Sequence, residues 1–318
     1  MLKFFKRILS VRYLFDDWFL ALLRYFLIKP GLSVNLEAKV DDCKIKINPD
    51  AFARLVSRFS RRLINSVKCV NGRVYVNNVE VSDINEVIYS SEVWGKVNGW
   101  SYDKSCNCWS KNNVKLRHMY DTIVEVFDYG VYESLNVKGK VVADIGAYIG
   151  DSAIYFALRG AKRVIAIEPH PEAFREMIEN IRLNNLEGII IPVNAGLASR
   201  PGEICIENVG VKRTAVIYHK PGGCGTLVPA ITLADVIERY AINHSAILKM
   251  DCEGCEYDVI LNDYEHIRVF DAIIFEYHAY VTGIPLKILL KKLSKDYECK
   301  IVSDNRKLLG LVKCIKRK

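Results

Sequence analysis

From Lys138 onward the chain alternates short apolar runs with amphipathic stretches. The runs KVVADIG, RVIAIE, GIIIPVN, AILKMD and DAIIFEYH are rich in Val, Ile, Ala and Leu, the pattern of strands covered on both faces. Between them, Asp151 to Leu158 (closed by Gly160), Pro171 to Asn184, LADVIERY, about Glu256 to Asn262 and PLKILLKKLSK read as helices. Pro171 suits a first helical turn. Ala173, Phe174, Met177, Ile178 and Ile181 recur along one side of that helix, and Thr232 is a natural cap for LADVIERY. Such alternation predicts a mostly parallel sheet with helices on both faces. The closing runs ECKIVS and LLGLVKCI, joined by a short turn, predict an antiparallel hairpin. One stretch, GEICIENVGVKRTAVIYHKPGGCG, interrupts the rhythm as a polar, β-like excursion.

Residues 34–137 follow another pattern and are expected as an accessory α+β region. Strand-like KIKIN and GRVYVNNVEV accompany a helix, AFARLVSRFSRRLINSV, whose Phe52, Leu55, Val56, Phe59 and Leu63 share one side. Arg54, Arg58, Arg61 and Arg62 take the other side, read as a solvated face in preference to an acidic-ligand site. The polar stretch 94–113 holds three tryptophans. Their rings either stack on sugars or bases or anchor a loop to the core, and anchoring is the preferred reading. Residues 1–33 are expected as an amphipathic helical segment. Charges interrupt it, so no uncharged run reaches the ~18 residues of a spanning helix, and no small-residue cleavage site marks a secretory signal. Six basic against two acidic residues in the first thirty allow two readings. The helix lies on an anionic membrane surface, or its apolar face packs against the protein or a partner, the reading preferred.

Composition and charge narrow the class. Half the 318 residues are hydrophobic and 26% are charged, which supports a packed core and excludes global disorder. The net charge of +8 is concentrated as +6 in residues 1–138. So small a surplus suits an anionic membrane surface or an acidic substrate better than a nucleic-acid grip. Ten cysteines include C-x-C at Cys106/Cys108 and C-x-x-C at Cys252/Cys255, with no second pair at zinc-ribbon spacing. They are read as mostly reduced, buried thiols of a cytoplasmic protein, at the inner membrane surface if the terminal helix binds lipid. Disulfides of the thermophile kind are the alternative.

The candidate chemistry gathers at strand ends, where open parallel sheets bind ligands. In VVADIGAYIGDSA a strand ends on Asp144 and turns through Gly146, Ala147, Tyr148, Ile149 and Gly150 into a helix. A P-loop needs Gly-Lys-Ser/Thr; here Asp151 and Ser152 follow the second glycine, and an acid at a helix start repels phosphate. The G-x-G-x-x-G dinucleotide signature is missing too. D-x-G-x-x-x-G instead suits S-adenosylmethionine, which has no phosphate and carries ammonium and sulfonium charges. Asp144 is expected to favour that positive end, and Gly146 and Gly150 to let the backbone approach. Glu168, at the second strand tip, is expected to accept from the ribose hydroxyls, and Asn194, at the third, to read the adenine. Ala147, Tyr148, Asp151, Pro169 and Ala195 flank these tips and complete the expected cofactor site.

The segments DIGAYIGDSAIYFALRGAKRVIAIEPHPEAF, NIRLNN, VNAGLAS, ITLADVI, LKMDCEGCEYDVI and IIFEYH resemble the FkbM family of S-adenosylmethionine-dependent methyltransferases, over roughly residues 138–280. The resemblance implies a class I methyltransferase (Rossmann-like) fold for residues 138–318: a seven-stranded, mostly parallel sheet with helices on both faces, extended N-terminally by the α+β region. It also implies, most commonly, O-methylation of a hydroxyl on a sugar, glycolipid or related metabolite. Cys252 and Cys255 stand where the family often has apolar or small residues, and residues 1–137 fall outside the likeness.

Methyl transfer to an alcohol needs an aligned oxygen and a group that takes its proton. Asp251 and Glu253 are the first candidates, and His278, past the fifth strand, is the second. Glu256 reads as a helix cap and Lys249 as the partner of a nearby acid. The clustered acids could also hold Mg²⁺; this is not favoured, and no metal ligand is assigned. Two rivals remain. One is an RNA (tRNA) methyltransferase, against which KMDCEG stands where enzymes acting on exocyclic amines carry N-P-P-Y or D-P-P-Y. The other is a non-catalytic module that binds S-adenosylmethionine without turnover.

Overall fold

The computed structural model describes residues 9–28, 35–206, 210–211, 216–217, 225–243, 245–305 and 307–317. The chain divides into two compact units, residues 1–114 with 118–131, and residues 115–117 with 132–318.

The second unit is built on seven strands: β1 (Val141–Ile145), β2 (Arg163–Ile167), β3 (Ile190–Val193), β4 (Ile247–Met250), β5 (Ala272–His278), β6 (Tyr297–Ile301) and β7 (Leu309–Lys316). They lie in the order β3-β2-β1-β4-β5-β7-β6. The first five pair in parallel, and β7 runs antiparallel to both β5 and β6. The unbroken apolar runs explain this arrangement, since every residue of β4 is buried and both faces of the sheet are covered. Helices α1 (Asp151–Leu158), α2 (Pro171–Leu183), α3 (Leu233–Arg239), α4 (Cys255–Asn262) and α5 (Leu286–Leu293) supply the cover. Pro171 opens α2, and the His170 ring accepts from the Ala173 N–H. Thr232 and Asp235 close a reciprocal capping box on α3. Ile145, Ile165, Leu248, Phe275 and Leu289 lie in one continuous core. The polar excursion adds a small sheet of Gly196–Leu197, Gly202–Ile206, Val216–Ile217 and Thr226–Ile231, though most of residues 207–224 lie outside the described residues. Strand order reverses between β1 and β4, and such a switch point leaves a crevice beyond the strand ends.

In the first unit, the hairpin Leu36–Val40/Cys43–Ile47 buries alternate residues and exposes the rest. Helix Pro49–Ser60 buries Phe52, Leu55 and Val56. Its arginines are not uniformly solvated: Arg54, Arg61 and Arg62 are exposed, but the Arg58 guanidinium stacks 3.8 Å above the Trp94 ring. Trp94, Trp100 and Trp109 are all at most 4% exposed, so the tryptophans anchor this unit and offer no stacking platform to a ligand.

Of the N-terminal segment, residues 1–8 and 29–34 lie outside the described residues. A 3-10 turn, Val11–Tyr13, precedes a helix, Trp18–Leu27. Val11, Leu14, Phe15 and Ala21 are buried. The Lys39 N–H donates to Asp17, and Arg24 donates to the Glu37 carbonyl, so the segment is fastened along the hairpin. The expected packing accounts for that side only. Phe19, Leu20, Leu23, Phe26 and Leu27 remain 45–72% exposed. Among the described residues, no helix is long and apolar enough to cross a membrane.

The expectation of reduced thiols is overturned. Cys43–Cys69, Cys106–Cys108, Cys252–Cys255 and Cys299–Cys314 are disulfides, and Cys205 is bridged as well. Sequence spacing hides Cys43–Cys69 and Cys299–Cys314, which are 26 and 15 positions apart and meet only through tertiary pairing.

Candidate active site

The turn after β1 is sewn to its neighbours by backbone. Gly146 and Ala147 both donate to the Ile167 carbonyl at the end of β2. Gly146 has φ +72°, and a Cβ there would stand 1.8 Å from the Asp251 carbonyl oxygen. Gly150 has φ +85° and starts α1, and a Cβ there would press on the Met177 side chain at 2.9 Å. Glycine is therefore required twice, once by the loop after β4 and once by α2.

Asp144 does not face the crevice. Its side chain is fully buried and lies 3.0 Å from the Lys249 ammonium, itself 2% exposed. Lys249 Nζ also donates to the Gly146 carbonyl at 2.7 Å and the Ile145 carbonyl at 3.3 Å. Ser152 Oγ donates to the other Asp144 oxygen at 2.7 Å. Burial alone would pull the Lys249 ammonium down, but Asp144 and Asp251 outweigh it and hold it above the ordinary lysine value. Asp144 thus acts on the turn through a buried ion pair rather than on a ligand's positive charge. Asp151 is buried as well, and its carboxylate accepts from the Ser152 N–H.

Glu168 sits at the tip of β2. One carboxylate oxygen accepts from the Tyr148 N–H and the other from the His170 N–H, both at 2.8 Å. Each oxygen keeps a lone pair for a further donor. Burial pushes this carboxyl up to about 7, against the opposing pull of the two backbone bonds. Asn194 spends its amide N–H groups on the Glu168 and Pro169 carbonyls, so its structural role is to hold the β2 tip. Pro169 is buried, and Ala195 belongs to the core.

Four carboxylates and one imidazole meet at the tips of β4 and β5. The Asp251 N–H donates to the Ile145 carbonyl at 3.0 Å, continuing the β1–β4 register past the strand end. Glu253 takes φ +55°, followed by Gly254 at φ +117°, and the Cys252–Cys255 bridge spans both. The Asp251 and Glu253 side chains are each one-third exposed. Glu253 accepts from the Tyr280 hydroxyl at 3.0 Å, and burial raises its carboxyl above the usual value. Glu256, fully buried, is more than a helix cap. It accepts from the Gly254 N–H and from both the N–H and Nδ1 of His278 at 2.9–3.0 Å. His278 is 1% exposed, with Nε2 at 3.5 Å from Glu253, 3.8 Å from Glu276 and 3.9 Å from Asp251. Burial would lower its pKa, but Glu256 first and then Glu253 and Asp251 push it up to about 9. These acids favour the protonated imidazole over the neutral base expected from the sequence. Sequence reasoning passed over Glu276, although strand alternation puts it on the same side of β5 as His278. Beside α4 opens a cleft of about 480 Å³, lined by Ser199, Arg200, Gly254, Asp258 and Thr282 among others, within the size range of small-ligand sites.

The switch-point crevice, glycine turn and carboxylate at the β2 tip fit S-adenosylmethionine, and together they define a class I S-adenosylmethionine-dependent methyltransferase. Residues 144–289 match the family described as Methyltransferase FkbM domain. Over these residues the chain is similar to the FkbM methyltransferases. It is similar to the hexuronic acid methyltransferase AglP of Haloferax volcanii, with 28% identity over 54% of this chain and 67% of that protein. It is also similar to a tRNA(Phe) (4-demethylwyosine(37)-C(7)) aminocarboxypropyltransferase of Pyrococcus horikoshii, with 24% identity over 55% of this chain and 66% of the relative. Among solved structures, a methyltransferase FkbM from Methylobacillus flagellatus aligns at 17% identity and TM-score 0.42, over 60% of this chain and 47% of that one.

Proposed function

We propose that this protein O-methylates a hydroxyl of a sugar or sugar-containing lipid. One observation carries the reading: the solvent-reaching carboxylates of Asp251 and Glu253 stand on a loop packed directly against the cofactor turn, at Gly146. When bound, S-adenosylmethionine supplies the electrophilic methyl group. The residues of the chain do the rest. Glu168 and the backbone of the Gly146–Gly150 turn hold the nucleoside, and Lys249 and Asp144 keep that turn in place. Glu253, steadied by Tyr280, takes the proton from the acceptor hydroxyl as its oxygen attacks. The cleft beside α4 receives the acceptor. Similarity to a hexuronic acid methyltransferase supports a sugar acceptor.

The test is to incubate the full chain with methyl-labelled S-adenosylmethionine and, separately, uronic-acid saccharides, glycolipids and tRNA. Label is expected in a saccharide-bearing fraction. Glu253→Gln should lower turnover about 10²–10⁴-fold while cofactor affinity by calorimetry holds. Label in tRNA would replace the sugar reading with the RNA one, and cofactor binding without any labelled product would leave the non-catalytic module.

A further inference from the structure

We propose that the Cys252–Cys255 bridge is a thiol–disulfide exchange site, and that a dithiol reductant opening it disarms the loop after β4. The bridge encloses two residues, Glu253 and Gly254. Both lie in the left-handed region, at φ +55° and +117°. Glycine accepts that conformation freely, but a residue with a side chain is disfavoured there. Glu253 therefore needs holding. Its side chain has the Tyr280 hydroxyl at 3.0 Å, on a residue 57% exposed, and its peptide neighbour Gly254 donates to Glu256 at 3.0 Å. The bridge is the covalent constraint across the pair.

The surroundings confine the effect of opening it. On the near side, the Asp251 N–H stays bonded to the Ile145 carbonyl. On the far side, Tyr257, Val259 and Ile260 pin α4 in the core. Only residues 252–255 gain freedom, while the cofactor turn keeps its own contacts. Access is one-sided. Cys252 is half-buried, whereas Cys255 is 4% exposed, so an incoming thiolate attacks the Cys252 sulfur. The bridge bond breaks and Cys255 leaves as a thiolate at the first residue of α4, where the helix dipole favours the anion. The second sulfur of the dithiol then closes on the first and releases Cys252. The dithiol is oxidised to a disulfide, the bridge is reduced, and the two dithiol protons end on the two cysteines. Reduction reaches the imidazole as well. Cys252 Sγ stands 3.4 Å from the Glu256 oxygen that accepts from Gly254. A bridge sulfur brings that oxygen no proton, but a thiol is a donor to it, and Glu256 is the carboxylate that orients His278. The consequence for turnover rests on the O-methylation reading, because it acts through Glu253.

The experiment treats the oxidised full chain with graded dithiothreitol and maps which bridges have opened. Methyl transfer, cofactor affinity by calorimetry and amide hydrogen exchange are measured on the same samples. Opening Cys252–Cys255 should lower turnover about tenfold or more, speed exchange at residues 252–256 by about tenfold and leave cofactor affinity unchanged; reoxidation should reverse all of it. Cys252→Ala/Cys255→Ala should sit at the reduced level with or without reductant. A bridge that stays closed in the native chain at millimolar dithiothreitol overturns the site. So does unchanged turnover and exchange once mapping shows the bridge open. A double variant as active as the oxidised parent that still loses activity to reductant also overturns it, by tracing the effect to another bridge. Absence of turnover in the oxidised parent counts against the O-methylation reading instead, and the exchange rates then decide the bridge on their own.

Discussion

Replacing Lys249 by methionine tests how the cofactor turn is held. The substitution keeps the aliphatic stem but removes a charge that is 2% exposed and 3.0 Å from a fully buried Asp144. It also removes the ammonium's bonds to the Ile145 and Gly146 carbonyls, at 3.3 and 2.7 Å, of which Ile145 keeps the Asp251 N–H, and leaves Asp144 with Ser152 as its remaining side-chain partner. Stranding one member of a buried ion pair costs about 3–5 kcal/mol. For a domain of this size that lowers Tm by roughly 6–20 °C. The double variant Asp144→Asn/Lys249→Met removes both charges and should recover most of the loss, because a buried pair replaced as a unit is nearly neutral. Urea unfolding, compared at constant m, measures each step. Calorimetry adds the functional half: the double variant should keep cofactor affinity within about tenfold if Asp144 acts only through the turn. A single variant within about 1 kcal/mol of the parent, or a double variant no more stable than the single, would refute the reasoning. The pair should also survive neutral conditions. Lys249 in the fold lies above its ordinary value of about 10.4, so its contribution is complete below that pH and fades only as pH climbs past the folded value.

Glu168 predicts a pH dependence of the same sign in a lower window. Its folded pKa of about 7 lies above the unfolded value, so its contribution to stability is complete below about pH 4.3 and lost as pH rises to about 7. Cofactor binding needs the ionised carboxylate, so affinity should rise across about pH 7, and Glu168→Gln should flatten the profile; an unchanged slope in that variant counts against the assignment. Non-reducing peptide mapping should recover Cys43–Cys69, Cys106–Cys108, Cys252–Cys255 and Cys299–Cys314; thiol labelling of these residues in unreduced, denatured protein would contradict them. The open face of helix Trp18–Leu27 predicts flotation with anionic vesicles that is lost in Phe19→Ser/Leu23→Ser/Phe26→Ser; equal flotation of both proteins would remove the membrane reading.

The parallel sheet and its helices could be read from apolar periodicity because strands buried on both faces leave a long, simple signal, as in Val141–Ile145 and Ile247–Met250. Caps were equally readable at Pro171 and Thr232, where the chemistry is local. What escaped was long-range. Asp144 and Lys249 are 105 positions apart, and only the β1–β4 register makes them partners. A carboxylate at a strand tip looks the same in sequence whether it faces a ligand or a buried ammonium. Glu256 likewise became an orienter of His278 through pairing that no local spacing encodes. The Cys299–Cys314 bridge follows the same rule, since its cysteines meet across the β6–β7 register.

At position 146 the Asp251 carbonyl fills the volume where any side chain would begin. The glycine turn and the acidic loop after β4 are therefore a single moulded piece, and neither can drift without dragging the other. Anyone transplanting an acceptor loop from a relative to change what this enzyme methylates must carry over the main-chain path of residues 250–252 unchanged. New selectivity has to be sought downstream, along the wall formed by the small sheet and α4.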